Sequence, residues 1–323
     1  MRVSTWFRFV GYSVSSWWLC GLLVACDMGP PPEKSVELAP VGLFSAALSP
    51  HYALLGTTAG RAELWQIDPK SLLHVWQHTD EHNGIVYAAI ADDERYAVTA
   101  ERESLAWWRI ADGKLLGVWR FPAIHALALS SDGRHALVGL PDRAIYFSLA
   151  SGATRYAFQH DARVTAVALD ARGQFALTGD EQGRAHLWRL QDGQKLFSWS
   201  HHGEISAATL NDDGSIAMTH PMLGKTHLWK TTNGRLLHTL GHYRVTVAAA
   251  RFAKNGRYLA TGLVSGQLQI WEAKSGALLQ NLQPLQNPLW RAPSASVLAV
   301  SFALEDRKLY SITSNGGLQR WRR

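Results

Sequence analysis

DEQGRAHLWRLQDGQKL, residues 180–196, and LVSGQLQIWEAKSGALL, residues 263–279, align without a gap. Each carries a glycine at its fourth place (Gly183, Gly266), a tryptophan at its ninth (Trp188, Trp271) and a glycine at its fourteenth (Gly193, Gly276). Five residues on either side of the aromatic are too few for a helix of ordinary length. They suit a short strand held between two tight turns, where glycine supplies a positive φ without a Cβ clash.

The block recurs along the chain. Its aromatics are Trp65, Trp108, Phe147, Trp188, Trp229, Trp271 and Trp321, spaced by 43, 39, 41, 41, 42 and 50 residues. Glycines stand five residues before the aromatic at 60, 183, 224, 266 and 316, and five after it at 113, 152, 193, 234 and 276. A third turn set is Ser131-Asp132-Gly133, Asp212-Asp213-Gly214 and Lys254-Asn255-Gly256. Apolar runs such as Val164–Leu169 and Val297–Phe302 lie between the turns and suit buried inner strands. No amphipathic helical period exceeds two turns after residue 35. A period of 40–45 residues with an aromatic in a short strand marks a four-stranded propeller blade. The chain therefore reads as all-β, a seven-bladed β-propeller of four-stranded antiparallel blades.

Over residues 35–323 the sequence resembles the WD40 repeat family. Gly241-His242 precedes a first strand, Asp-Gly stands in the first hairpin, and Leu-Trp lies in the third strand. The aspartate that follows the family's tryptophan is replaced by Gln66, Arg109, Ser148, Arg189, Lys230, Glu272 and Arg322. The resemblance implies a structural hydrogen-bond network, which in blade four would join His160, Thr178, Asp180 and Trp188. Blade six keeps His242, Thr261 and Trp271 but has Leu263 at the aspartate's place. A metal or catalytic role for His160 and Asp180 is the competing reading.

Only Arg322 and Arg323 follow Trp321, too few for a fourth strand in the last blade. An unpaired strand edge is a liability. Ser35–Ala39 has a strand-like alternation, and is expected to close the ring as the outer strand of blade seven.

The N-terminus has a different character. Arg2 and Arg8 precede Phe9 to Ala25, which carries no charge, and this is the pattern of a secretory signal peptide. The alternative is an uncleaved membrane anchor. A spanning helix needs about 20 apolar residues. Here the run is 17 long and is diluted by Gly11, Ser13, Ser15 and Ser16. Leu23-Val24-Ala25-Cys26 resembles a bacterial lipobox, which implies cleavage between Ala25 and Cys26 and acylation of Cys26. Asp27 resembles the signal that retains lipoproteins in the inner membrane of enteric-type bacteria. Three prolines follow and favour an extended spacer, so residues 27–34 reach roughly 25 Å at most. The expected organisation is a signal peptide at 1–25, a lipidated cysteine and linker at 26–34, and a propeller at 35–323. After cleavage Cys26 is the only cysteine left, which excludes a disulfide within the chain.

Composition narrows the function. The net charge is +6, and losing Arg2 and Arg8 lowers it by two, to +4. No run of lysine and arginine forms a basic stripe, so nucleic acid is not an expected partner. No Gly-x-Ser-x-Gly elbow, His-Glu-x-x-His or phosphate-cradling loop is present. The fourteen histidines are scattered, so neither a metal nor a cofactor is expected. The longest interruption of the repeat, Gln283 to Ser294, contains Trp290 and Arg291, residue types enriched in interface hot spots. Trp290 either binds a partner there or tucks into a neighbouring blade. The sequence thus points to a non-enzymatic, membrane-tethered periplasmic scaffold for a protein or peptide, a monomeric propeller within a complex. The alternatives are a propeller enzyme or a ligand- or cofactor-binding module using the central funnel, and a cytoplasmic scaffold with an uncleaved anchor.

Overall fold

A computed structural model describes residues 30–40, 42–78, 84–241, 245–283 and 295–323. The described chain is a seven-bladed β-propeller with 28 strands in seven four-stranded antiparallel sheets. Blades one to six each use four consecutive strands and span residues 43–76, 87–120, 126–159, 164–200, 205–240 and 247–282. The first strand of each lines the central channel and the fourth is the outer edge. Among the described residues no helix is long and apolar enough to cross a membrane.

Blade seven draws on both ends of the chain. Its inner three strands are Val297–Ala303, Lys308–Thr313 and Gly317–Arg322, and its outer strand is Lys34–Glu37. The closing strand pairs antiparallel with Gly317–Arg322, from Lys34 opposite Arg320 to Glu37 opposite Gly317. It starts one residue earlier than the sequence suggests and ends two earlier. Leu38 and Ala39 leave the ladder because both are buried, in the cluster that also holds Leu43, Tyr310 and Leu318. They carry the chain from the outer edge of blade seven to the inner strand of blade one.

The core is the set of seams between blades. In each third strand the aromatic packs toward a neighbouring blade, as Trp188 stacks on Phe158 with ring centroids 4.6 Å apart. Trp229 stacks on Trp199 at 4.9 Å, and Trp108 on Trp76 at 4.9 Å. Such pairs add about 0.5–1.5 kcal/mol each beyond their buried area.

A close approach of backbones fixes a second residue type. Gly56, Gly179 and Gly262 occupy one equivalent place near the end of the second strand. A Cβ on Gly56 would lie well under 3 Å from the Ile85 carbonyl oxygen and the Ser45 hydroxyl. On Gly179 it would lie 2.5 Å from Ile205 Cγ2. Ile85 and Ile205 lie where the next blade opens, and Ser45 is on the inner strand of blade one itself. Gly56→Ala is therefore expected to destabilise the fold by about 1–3 kcal/mol through overpacking. Chemical denaturation checks this, and an unchanged midpoint would show that the seam yields more easily than its backbone contact implies.

Candidate functional site

The polar cluster of blade four is assembled from three chain segments. His160 follows the outer strand of blade three, Thr178 and Asp180 end the strand Phe175–Asp180, and Trp188 lies in Arg184–Arg189. Trp188 Nε1–H donates to Thr178 Oγ1 at 2.8 Å. Thr178 Oγ1 lies 2.8 Å from His160 Nε2, and His160 Nδ1 lies 3.1 Å from Asp180 Oδ2. A neutral imidazole protonated at Nδ1 satisfies the whole chain: it donates to the carboxylate and accepts the threonine hydroxyl proton. Burial pushes the His160 pKa down, against the pull of the Asp180 hydrogen bond, which keeps the ring neutral. Asp180 Oδ1 also accepts from the backbone N–H of Gln182 at 3.0 Å and of Arg184 at 2.9 Å, closing the turn that contains Gly183.

His186 stands beside this chain, its ring centroid 4.7 Å from that of His160. One ligand atom each from His160, Asp180 and His186 lies within 4.8 Å of the others, so a divalent cation is a geometric option. The donor set argues against it. Both His160 nitrogens and both Asp180 oxygens are engaged, His186 Nδ1 is held by Ser198 Oγ at 2.9 Å, and the Arg184 guanidinium stands 3.3 Å from Asp180. An ion would displace these bonds while facing a fixed positive charge.

The same chain varies around the ring. In blade two, His78 meets Thr99 Oγ1 at 2.6 Å and Ser104 Oγ at 2.8 Å, and Ser104 donates to Glu101. There Glu101 takes the carboxylate's part through a hydroxyl relay. In blade five, His201 meets Thr219 at 3.1 Å and Trp229 donates to Thr219, while Pro221 stands where Asp180 would. His220 occupies the close-approach place held by glycine in blades one, three, four and six, and its ring bridges Thr226 Oγ1 and the Val245 carbonyl, both at 2.9 Å. Blade six keeps Trp271 donating to Thr261 at 3.0 Å, and His242 lies outside the described residues. Blade seven keeps Trp321 donating to Ser311 at 3.1 Å. Blades one and three put Leu55 and Val138 at the threonine's place.

These histidines make the fold sensitive to acid. Burial drives His78, His186, His201 and His220 down to about 4, from an ordinary value of 6.5. In the unfolded chain they take up protons near pH 6.5, so between about 4 and 6.5 the unfolded state binds more protons. Stability is expected to hold above pH 6.5 and to fall steadily as pH drops toward 4. Denaturation midpoints at pH 7.5, 6 and 4.5 test this. Equal midpoints would mean that these rings are hydrated in the folded state.

Two segments of the chain, residues 152–189 and 234–272, match the family model described as WD domain, G-beta repeat. The similarity is to WD40 repeats. Each matched segment starts at the outer strand of one blade and ends at the third strand of the next. The repeat unit is thus offset by one strand from the blade, and each repeat links two neighbours. A "WD repeat-containing protein 91 homolog" from Dictyostelium discoideum is 33% identical over 70 residues, 22% of this chain. Those residues cover 8% of that relative's length.

The blades enclose a channel cavity of about 310 Å³, walled by small and aliphatic residues such as Ala89, Ala128, Val167 and Ala208. Charge gathers at one mouth. Arg251, on the inner strand of blade six, pairs with Asp92, in the first turn of blade two, and Ser131 Oγ donates to the same carboxylate at 2.7 Å. Burial alone would raise Asp92, but Arg251 and Ser131 hold it below the ordinary range. Asp212 at the same mouth is pushed up, by burial and then by the Asp92 charge. No sequence pattern joins Asp92 to Arg251, which lie 159 positions apart.

The remaining sequence-derived sites, Ala25, Cys26, Asp27, Trp290 and Arg291, lie outside the described residues.

Proposed function

We propose that the chain is a non-enzymatic scaffold for a protein or peptide partner, held at a membrane by lipid on Cys26 on the periplasmic side. The observation that carries this reading is the closed ring of WD40-type blades, in which the His160, Thr178, Asp180 and Trp188 side chains are committed to one another rather than aimed at a substrate. The lipobox resemblance of Leu23 to Cys26 supports the tether. The engagement of Lys34–Glu37 in blade seven supports a short one, because the chain enters the fold soon after the spacer prolines. Under this reading residues 1–25 are removed, 26–34 form the linker and 35–323 the propeller, with Asp27 favouring the inner membrane. Trp290 and Arg291 contribute to partner binding.

Two measurements test the proposal. Mass spectrometry of the chain purified from membranes should show a mature N-terminus at acylated Cys26. Affinity capture after crosslinking should return a partner that Trp290→Ala and Arg291→Ala lose at native stability. A free thiol at Cys26 in an uncleaved chain would remove the tether, and full partner retention would remove the loop's role. The channel cavity, with its charged mouth, favours a second reading as a small-ligand site, and native mass spectrometry of the purified chain would reveal a retained ligand.

A further inference from the structure

One end of blade seven combines backbone strain, exposed apolar surface and positive charge. Leu304, Glu305 and Asp306 form the turn after the inner strand and all three have left-handed φ, at 50, 52 and 64°. Such residues persist only where the surroundings impose them, and they concentrate at functional places. This turn presents Leu304 with 61% of its surface exposed, the highest value of any large hydrophobic residue described.

Arginines and a lysine surround it. Lys308 lies opposite Arg322 in the ladder, and the Arg323 backbone N–H donates to the Arg307 carbonyl at 3.0 Å. Arg323 from blade seven and Arg257 from blade six sit over the ring of Tyr258, at 3.7 and 5.1 Å. Glu305 offsets Arg307, Glu272 offsets Arg257, and Glu33 lies between Lys308 and Arg320. Among the described residues neither Arg322 nor Arg323 has a carboxylate partner.

The chain's N-terminal segment joins the fold at this same end. Lys34 pairs with Arg320, and the Glu33 backbone N–H donates to the Arg320 carbonyl, so the residues before Glu33 leave beside Arg322. Residues 27–32 reach roughly 19 Å at most from there to Cys26.

We propose that this corner docks on an anionic phospholipid bilayer, with Leu304 dipping into the headgroup layer and the surrounding arginines on lipid phosphates. The proposal rests on the tethered reading above, since a short lipid tether brings this end to the bilayer. A tether and a basic, apolar-tipped patch are two membrane signals of the kind that act together. The propeller then stands on blade seven, with the opposite end, which carries Leu223 at 57% exposure, turned to solvent.

The test uses the full chain purified from membranes, its Cys26 state read by mass spectrometry, reconstituted into vesicles of phosphatidylcholine alone or mixed with phosphatidylglycerol. Leu304→Cys and Leu223→Cys are each labelled with an environment-sensitive fluorophore. The expected result is a blue shift and protection from aqueous quencher at 304 in the phosphatidylglycerol vesicles only, absent at 223. Arg322→Glu, at an exposed position, should weaken it severalfold at unchanged melting temperature. A 304 label as exposed as the 223 label, on a chain with acylated Cys26, overturns the docking and leaves the tether standing. A shift at 304 on a chain with free Cys26 supports the docking and overturns the tether. A 304 label protected without lipid, on a dimeric chain, assigns the corner to a second copy and overturns the proposal.

Discussion

Removing residues 34–39 is expected to lower the melting temperature by about 10 °C or more. Four residue pairs join Lys34–Glu37 to the strand Gly317–Arg322, and Leu38 N–H adds a bond to the Gly316 carbonyl at 3.0 Å. The strand also ties blade seven to blade one, because Lys70 Nζ donates to the Glu37 carbonyl at 2.7 Å. Without it the strand Gly317–Arg322 becomes a raw sheet edge, and Leu318 loses its cover. Leu38 alone, truncated to alanine in so packed a cluster, should cost about 2–5 kcal/mol. The deletion removes that contribution together with the ladder and the link between blades. Thermal unfolding followed by circular dichroism reads the effect, and size-exclusion chromatography should show edge-to-edge association. A deleted chain that melts like the parent would mean that the seam between the inner strands of blades seven and one suffices to close the ring.

The second large effect is expected at Thr178. Replacement by valine keeps the shape and removes the hydroxyl, which at once deprives Trp188 Nε1–H of its acceptor and His160 Nε2 of its donor. Each is buried, and an orphaned buried polar group costs about 1–3 kcal/mol, so the pair should cost about 2–6 kcal/mol. Thr178→Ser should restore most of it. Ser311→Ala in blade seven, where Ser311 Oγ accepts from Trp321 Nε1–H, should cost about half as much. Denaturant titration of the three variants separates the outcomes. Equal losses at 178 and 311 would show that His160 finds water in place of the threonine.

Features imposed by local geometry were legible in the residues. Most of the glycines that flank the aromatics sit in turns with positive φ, as at Gly183 with 82° and Gly193 with 71°; Gly224 does not, and Leu223 takes the left-handed place there at 59°. Such a demand can be met only by the residue at that place, so it leaves a periodic trace. The need for a closing strand was legible because a propeller with a missing edge is a physical contradiction. Its bounds were not, since Leu38 and Ala39 alternate like a strand while serving the core. Demands set by neighbours in space left a trace whose cause the residues do not give. Gly56, Gly179 and Gly262 are glycine because the next blade's first strand passes close by, some 25 to 35 positions along the chain. His220 breaks that rule by reaching across to blade six. Glu101 stands at Asp180's place when counted from the threonine, but the shorter turn moves it one residue out of register counted from the tryptophan, and it reaches His78 only through Ser104.

The contact between Asp92 and Arg251 acts across the ring rather than along it. A hoop built of identical segments has one deformation easier than all others, in which the circle flattens toward an ellipse while every joint bends slightly. Joints between neighbouring blades resist this weakly, because each moves little. A spoke from blade two to blade six resists it along its own axis, and a charge pair with a hydroxyl behind it does so without filling the bore. Roundness in this protein is thus partly set by two side chains that belong to no repeat.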